Sequence, residues 1–492
     1  MKHHLTAILT LLLCASALAA CGESDTPATQ QTGTAPTVTD TAAPEIPTNE
    51  AAVRAQIGEQ DFGGSTFRVA SRNSGGDFYS STGTDVNELF YEKETGDTMN
   101  DAIYLRNRRT EEMLNIKIEP LWISDSADEV VSVSEQNILA GDSFAEAIIH
   151  RLDFGMNSAA KGMLYNFIDI PTINLSNPWW DQTITENFTM FGNQLYTLCG
   201  DIVFFDDYAV QAIFGNKRLM IENDIEIPYQ DVRDGTWTLD QFFEMAKLGF
   251  KDLNGDGKIE REVDQIGYGN HEGALMHMIY CFDQRMSMTQ DDGTVIVNYG
   301  NEKIVNTVTK ISDFLNSCED SIGDSCPDIF KEGRMMFFME MIGGIGGMRN
   351  MEDDYCVLPM PKGDESMDSY KAYVSNGWST CYTVPTTAEN VEQIGTVLEV
   401  MSAVSADTVT PALYDVMLEQ KFVRDEESQE MLSYVWASKA YDLAGDLDWA
   451  SSLRSIYYNI AQSGKNTFTS RMEKSMKTIN KKLDEFLAAF SE

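Results

Sequence analysis

Residues Thr66 to Ser71 alternate apolar and polar side chains with β-branched positions among them, which predicts a half-buried strand. Ile103, Leu105 and Met113 then recur at helical spacing, so Asp101 to Leu114 reads as a helix. Ile116 to Leu121 alternates again, Val130 to Leu139 returns to the helical period, and Ala145 to His150 is a third strand. Strand, helix, strand, helix, strand predicts an α/β, parallel, doubly wound sheet. Ligands of such sheets bind beyond the carboxyl ends of the strands, so the loops after Ser71 and Ile149 are where binding groups are expected. Leu195–Leu198 and Ile202–Phe205 read as short strands on either side of Gly200 and Asp201. Tyr208 to Glu222 reads as strand, then helix, and Thr238 caps a helix over Leu239 to Phe250. Further helices are predicted over Glu302–Ser317, Asn390–Ser405 and Arg471–Phe490.

The first residues break this pattern. Lys2 precedes an apolar run from Leu5 to Leu18, too short for the roughly 20 residues a membrane span needs and shaped like a secretory signal. It ends in Leu18-Ala19-Ala20-Cys21-Gly22, which resembles the bacterial lipobox; Cys21 is expected to become the lipidated N-terminus of a mature chain after residues 1–20 are removed. Residues 21–58 are rich in Thr, Ala, Pro and Gln and cannot offset their ordering entropy by burial, so they are expected to form a disordered tether reaching at most about 120 Å. The remaining body, about 430 residues long, is enough for two or three folding units. A net charge of −41 argues against nucleic acid and anionic lipid as partners. Six cysteines follow Cys21, an even number that permits disulfides; Cys318 and Cys326 bracket a short loop and are the first candidates for a bridge, the others being read as isolated buried thiols.

The sharpest local motif is Asp252-Leu253-Asn254-Gly255-Asp256-Gly257-Lys258-Ile259-Glu260. Oxygen ligands at positions 1, 3 and 5 with Gly at 6 match a calcium loop. Asp252, Asn254, Asp256, the Lys258 carbonyl, Glu260 and, through a one-residue bulge, Asp264 would hold a structural Ca2+; Val263 stands where the bidentate acid belongs. An acidic surface turn is the alternative. The paired Trp179 and Trp180 could stack on sugar rings, but core or lobe-surface packing is the favoured reading, whereas Trp378, among small polar residues at a strand end, is a candidate for a cleft. Arg151 and Asp153 follow the third strand, and Arg72 and Asp77 the first. Little points to an enzyme. The chain has no Gly-x-Ser-x-Gly elbow and no HExxH, and Gly343–Gly347 lacks the Lys of a phosphate loop.

Several segments, taken in order, resemble a known family. Phe154 to Leu164 is similar to the helix after the third strand of maltose-type solute-binding proteins. Phe214-Gly215-Asn216-Lys217-Arg218-Leu219 resembles their aromatic-Asn-Lys-x-Leu segment with Gly215 inserted. Gly235 to Asp240 resembles their Gly-x-Trp-Thr-x-Asp helix entry, Gly333 to Phe338 their Gly-x-Ala-x-Phe strand, and Tyr355 to Pro361 their Tyr-Gly-x-x-Pro-x-Pro. Together these resemble extracellular solute-binding proteins of family 1, over nearly the whole body.

The resemblance implies a two-lobed periplasmic-binding-protein type II fold, each lobe a mostly parallel sheet flanked by helices, with hinge strands between. Lobe one would hold 59–203 and 366–405, and lobe two 204–365 and 406–492. It implies a monomer, not an enzyme, that takes a sugar or oligosaccharide between its lobes and hands it to an ABC importer permease. Arg72, Asp77, Arg151, Asp153, Asp207, Tyr208, Met341, Arg349 and Trp378 would line the cleft. The alternatives are a surface polysaccharide-degrading glycosidase, which needs a carboxylate pair about 5–10 Å apart, and a sensor or structural lipoprotein.

Overall fold

A computed structural model describes residues 48–73, 87–271, 273–290, 293–318, 320–323, 325–348, 350–419, 425–463 and 465–491. Cys21, Asp77 and Arg349 lie outside the described residues, as does the expected signal. Among the described residues no helix is long and apolar enough to cross a membrane.

The predicted alternation of strand and helix is present. Strand β1 (Ser65–Arg72) leads through α1 (Thr98–Leu114) to β2 (Ile116–Ser124), and α2 (Ala127–Ala140) leads to β3 (Ala147–Arg151). Asp97 and Ser126 cap the two helices by accepting backbone N–H groups of their first turns. β1 pairs in parallel with both β2 and β3, as the pattern predicts. A fourth strand arrives from far downstream, over Thr380–Thr383, and runs antiparallel to β3 with Thr380 opposite Arg151.

The second sheet is built from β4 (Gln211–Asn216), β5 (Ile266–Gly269), β6 (Met335–Met341) and β7 (Tyr355–Pro359), in the order β5-β6-β4-β7. Its expected parallel character is corrected: only β5 and β6 run parallel, because β4 enters reversed between β6 and β7. Gly215, the insertion in the family-like segment, sits inside β4 opposite Cys356. A Cβ there would lie 2.7 Å from Cys356 Sγ and 3.1 Å from Met220 Sδ, so packing demands glycine. Helices Leu239–Leu248 and Glu302–Ser317 cover this sheet, with Phe242 edge-on to Tyr268 and Phe337, and Phe243 stacked on Phe314 at 3.7 Å.

Between the sheets the chain crosses several times. β8 (Ala372–Tyr373) leads into β9 (Thr380–Thr383), the fourth strand of the first sheet, and β10 (Lys439–Ala440) pairs in parallel with β8. Val210 bridges to Val374 just ahead of β4. Three stretches distant in sequence thus lie side by side where the two sheets join. The helix Val409–Glu419 that follows residue 406 packs on α1, beside the first sheet, before the chain reaches β10.

Three expectations are corrected. The tether does not extend to residue 58, because Thr48–Ile57 is a helix with Val53 and Glu50 buried. It is pinned at Asp407, which accepts from Asn49 Nδ2 and the Glu50 amide, and packs on the helix Val391–Asp407. Ile202–Phe205 is no strand. Val203 closes a turn on Gly200, and the amides of Phe204 and Phe205 donate to Glu88 Oε1 instead of to a neighbouring strand. Cys318 and Cys326 do not pair. Both are buried free thiols, Cys326 lying against the carbonyls of Asn270 and Ser321.

Trp179 and Trp180 are core residues, each 2% exposed. Trp180 donates through Nε1 to Glu399 at 3.0 Å, and the same carboxylate accepts from Asn177 Nδ2, the Asn174 amide and Gln56 Nε2. One buried acid therefore ties the N-terminal helix, the Trp loop and Val391–Asp407 together. Glu399→Ala strands these donors, and unfolding in urea is expected to show a loss of about 2–4 kcal/mol with the slope unchanged.

Candidate functional site

Three of the expected cleft residues are brought together by backbone pairing. Arg151 ends β3, and the Leu152 and Asp153 amides donate to the carbonyls of Ser379 and Asn376. This places the turn Ser375–Ser379, with Trp378, beside Arg151 and Asp153. Arg151 donates from Nε to Asp153 Oδ1 at 3.1 Å and from Nη2 to Oδ2 at 2.7 Å, a two-point clamp. Its guanidinium also lies 4.3 Å from the ring centre of Phe154. Arg151, Phe154 and Trp378 are half-buried, whereas Asp153 is buried. Burial pushes the Asp153 carboxyl up to about 6 against the pull of Arg151, and the nearby Asp446 adds to the rise.

Asp446 was not foreseen. It follows β10 in the helix-rich C-terminal third, in the turn Leu443-Ala444-Gly445-Asp446. Its Oδ2 accepts from Tyr373 Oη at 3.0 Å, Ser375 Oγ at 2.9 Å and the Gly377 amide at 2.9 Å. A Cβ on Gly377 would sit 3.1 Å from Arg151 Nη2 and 3.2 Å from the Asp446 carboxyl carbon, so Gly377 is where Arg151, Asp446 and the Trp378 turn converge. The only sequence signal is an acid beside glycine between helical stretches.

The other expected residues lie elsewhere. Asp207 and Tyr208 belong to the short helix Phe205–Tyr208 at the crossing strands. Asp207 pairs with Lys439 at 2.5 Å, and Lys439 also binds Asp206 at 2.7 Å. Tyr441 donates to Asp206 at 3.0 Å and to Asp181 at 3.4 Å. Burial pulls the Lys439 ammonium toward neutrality, but Asp206, Asp207 and Asp181 outweigh it and hold its proton. Tyr208 is buried, with its Cβ against Gly343 of the glycine-rich turn. Met341 is half-buried at the end of β6, paired with Gln211. Arg72 ends β1, and its charge acts on Glu88, a buried acid that also accepts from Thr380 Oγ1.

The acidic loop closes on itself. Asp252 accepts from the Gly255 and Gly257 amides, Asn254 from Asp256, and Asp256 from Lys258. Asp264 turns back to accept from the Leu253 amide at 2.8 Å and the Glu260 amide at 2.9 Å, one with each oxygen. Among the described residues no three His, Cys, Asp or Glu side chains are grouped so as to hold a metal ion. Asp264, expected to complete the calcium shell, has both oxygens engaged by these backbone amides. A separate groove of about 450 Å³, lined by Phe90, Tyr91, Lys117 and Trp122 among others, lies on the edge strand β2, two strands away from Arg151.

This arrangement of two sheets joined by crossing strands aligns with known structures. A cyclo/maltodextrin-binding protein complexed with maltotetraose aligns over 85% of this chain and 97% of its own, with a TM-score of 0.55 and 13% identity. The chain has the two-lobed type II periplasmic-binding-protein fold. An ABC substrate-binding protein from Listeria monocytogenes in complex with cycloalternan shares this fold over 86% of this chain and 99% of its own, at TM-score 0.51 and 11% identity. UgpB from Mycobacterium tuberculosis in complex with glycerophosphocholine does so over 78% and 95%, at TM-score 0.51 and 12% identity. No protein-family model matches the chain, and no curated protein matches it by sequence.

Two measurements check the electrostatics of this binding-protein fold. Burial raises Glu88 to about 7, so its contribution to stability is full below the ordinary carboxylate range and is lost as pH rises through 7. Glu88→Gln keeps an acceptor for the Phe204 and Phe205 amides; it is expected to stabilise the protein at pH 8 by on the order of 1–3 kcal/mol and to flatten the pH dependence below 7. At the acidic loop, its two backbone N–H groups hold the Asp264 carboxyl below the usual range, so its stabilisation is present at neutral pH and fades in acid. Asp264→Ala is expected to lower the melting temperature at pH 7.

Proposed function

We propose that this protein is an extracellular, lipid-anchored solute-binding protein that captures a carbohydrate between two lobes and delivers it to an ABC importer. The observation that carries the reading is the meeting of Arg151, Asp153, Phe154, Trp378 and Asp446 at the carboxyl end of β3. A strand end is where open α/β sheets bind ligands. Aromatic faces suit the apolar faces of sugar rings, and charged donors and acceptors suit hydroxyl groups. Similar folds hold maltotetraose and cycloalternan, which supports an oligosaccharide here. Closure of two lobes about crossing strands is the motion such a molecule uses. The lipobox-like Cys21 supports anchoring, and the tether after it would leave the body free to turn towards a permease.

A glycosidase would use the two acids at this site differently. Asp153 and Asp446 both flank Arg151, but the guanidinium occupies both oxygens of Asp153, which leaves neither of them turned to a glycosidic oxygen.

Binding is tested by calorimetry against linear and cyclic maltodextrins, with product analysis of the same mixtures. The expected result is affinity on the order of micromolar, about −8 kcal/mol, with no turnover. Arg151→Ala is expected to weaken binding at least tenfold. Hydrolysis of any oligosaccharide would overturn the reading. Cys21→Ala is expected to move the protein from the membrane fraction to the medium.

A further inference from the structure

The same fold accommodates ligands as unlike as the uncharged maltotetraose and the zwitterionic glycerophosphocholine, so the fold does not set which charged groups a solute carries. The side chains at the strand end do. Arg151 is the cation that would attract an anionic sugar, and it is already neutralised. Asp153 engages its Nε and Nη2, and the Phe154 ring lies against its guanidinium. Asp446 brings a second carboxylate to the same point, across Gly377. Three donors converge on Asp446 Oδ2, and all are neutral: two hydroxyls and an amide. They stabilise the negative charge without cancelling it. The cluster therefore sets one cation against two acids.

From this juxtaposition we infer that the site selects an uncharged polyhydroxylated solute and rejects anionic sugars, with Asp446 as the residue that sets the selection. The inference rests on the carbohydrate-binding reading above. The clamp and the three donors fix Arg151 and Asp446 side by side before any ligand arrives. A donor and an acceptor held so close suit neighbouring hydroxyls of one ring, which donate to the carboxylate and accept from the guanidinium. A uronate or sugar phosphate would bring a third negative group to the same half-buried place. Like charges brought together out of water repel strongly, which is how interfaces exclude wrong partners. Tyr373 acts as a positioning residue: its hydroxyl fixes Asp446, and its ring packs between those of His277, at 5.2 Å, and Tyr280, at 5.0 Å.

The test compares maltotetraose and a cyclic maltodextrin with their C6-oxidised uronate forms and with glucose phosphates, by calorimetry at low and high salt. The neutral sugars are expected to bind at least tenfold tighter than the oxidised forms. Salt is expected to narrow this gap by strengthening the anions while leaving neutral sugars unchanged. Asp446→Asn keeps an acceptor for Tyr373, Ser375 and Gly377; it is expected to reduce the neutral-to-anionic ratio at least tenfold. An oxidised sugar that binds wild-type protein more tightly than its neutral parent, or an affinity for anions that falls with salt, overturns the charge selection and leaves the binding-protein reading standing. Failure of every neutral and anionic sugar to bind overturns the carbohydrate reading itself. If Asp446→Asn does not fold, the wild-type salt dependence decides the matter alone.

Discussion

A single ammonium group holds the crossing between the two sheets. Lys439 binds Asp206 and Asp207 and lies within reach of the field of Asp181. Taking such charges out of water is costly, and the cost is offset only where partners and hydrogen bonds are complete. Here Tyr441 supplies further donation to Asp206 and Asp181. The arrangement joins the entry into the second sheet, the return strand β10 and the loop that carries Trp179 and Trp180. Removing the lysine alone would leave the buried Asp206 and the half-buried Asp181 and Asp207 facing one another, so the crossing geometry is specified by charge as well as by the short β8–β10 ladder.

The sequence periods describe local pairs well and distant ones poorly. β1, β2 and β3 with their intervening helices were legible because each spans a few residues of clear period and its partner comes next in the chain. β4 could be read as a strand, but not as one running antiparallel to both neighbours, since those neighbours lie more than a hundred residues downstream. The segment Ile202–Phe205 shows the same limit in reverse. It has a strand's composition, yet Glu88 takes its amides, and nothing local announces an acid buried from a loop more than a hundred residues upstream. At the N-terminus the helix Thr48–Ile57 is held by Asp407 and Glu399, contacts across about 350 residues that composition cannot carry.

The candidate site was half legible for the same reason. The strand-end rule pointed to Arg151 and Asp153, and the small residues around Trp378 marked a turn. Both lie on segments that pair directly, β3 with β9. Asp207 and Tyr208 were expected in the cleft because they follow a presumed strand; once that strand is replaced by a turn, Asp207 serves the Lys439 cluster and Tyr208 packs under the glycine-rich turn. Asp446 is the counterpart. In a chain with 77 acidic residues no single aspartate stands out, and only the fold shows which one faces Arg151.

Hinge and site are also joined to each other. Tyr373 on β8 donates to Asp446, and its neighbour in the ladder, β10, begins with Lys439. The register that sets Ala372 opposite Lys439 and Tyr373 opposite Ala440 therefore aligns the charged crossing and the Asp446 carboxylate at once. A rotation of one sheet against the other about these strands would have to keep that ladder, because its backbone bonds (Ala372 to Ser438, Val374 to Ala440) are buried with it. Asp446 is tied to these strands through Tyr373. On the proposed reading, the carboxylate that selects the solute is thus anchored to the crossing strands and not to an outer helix.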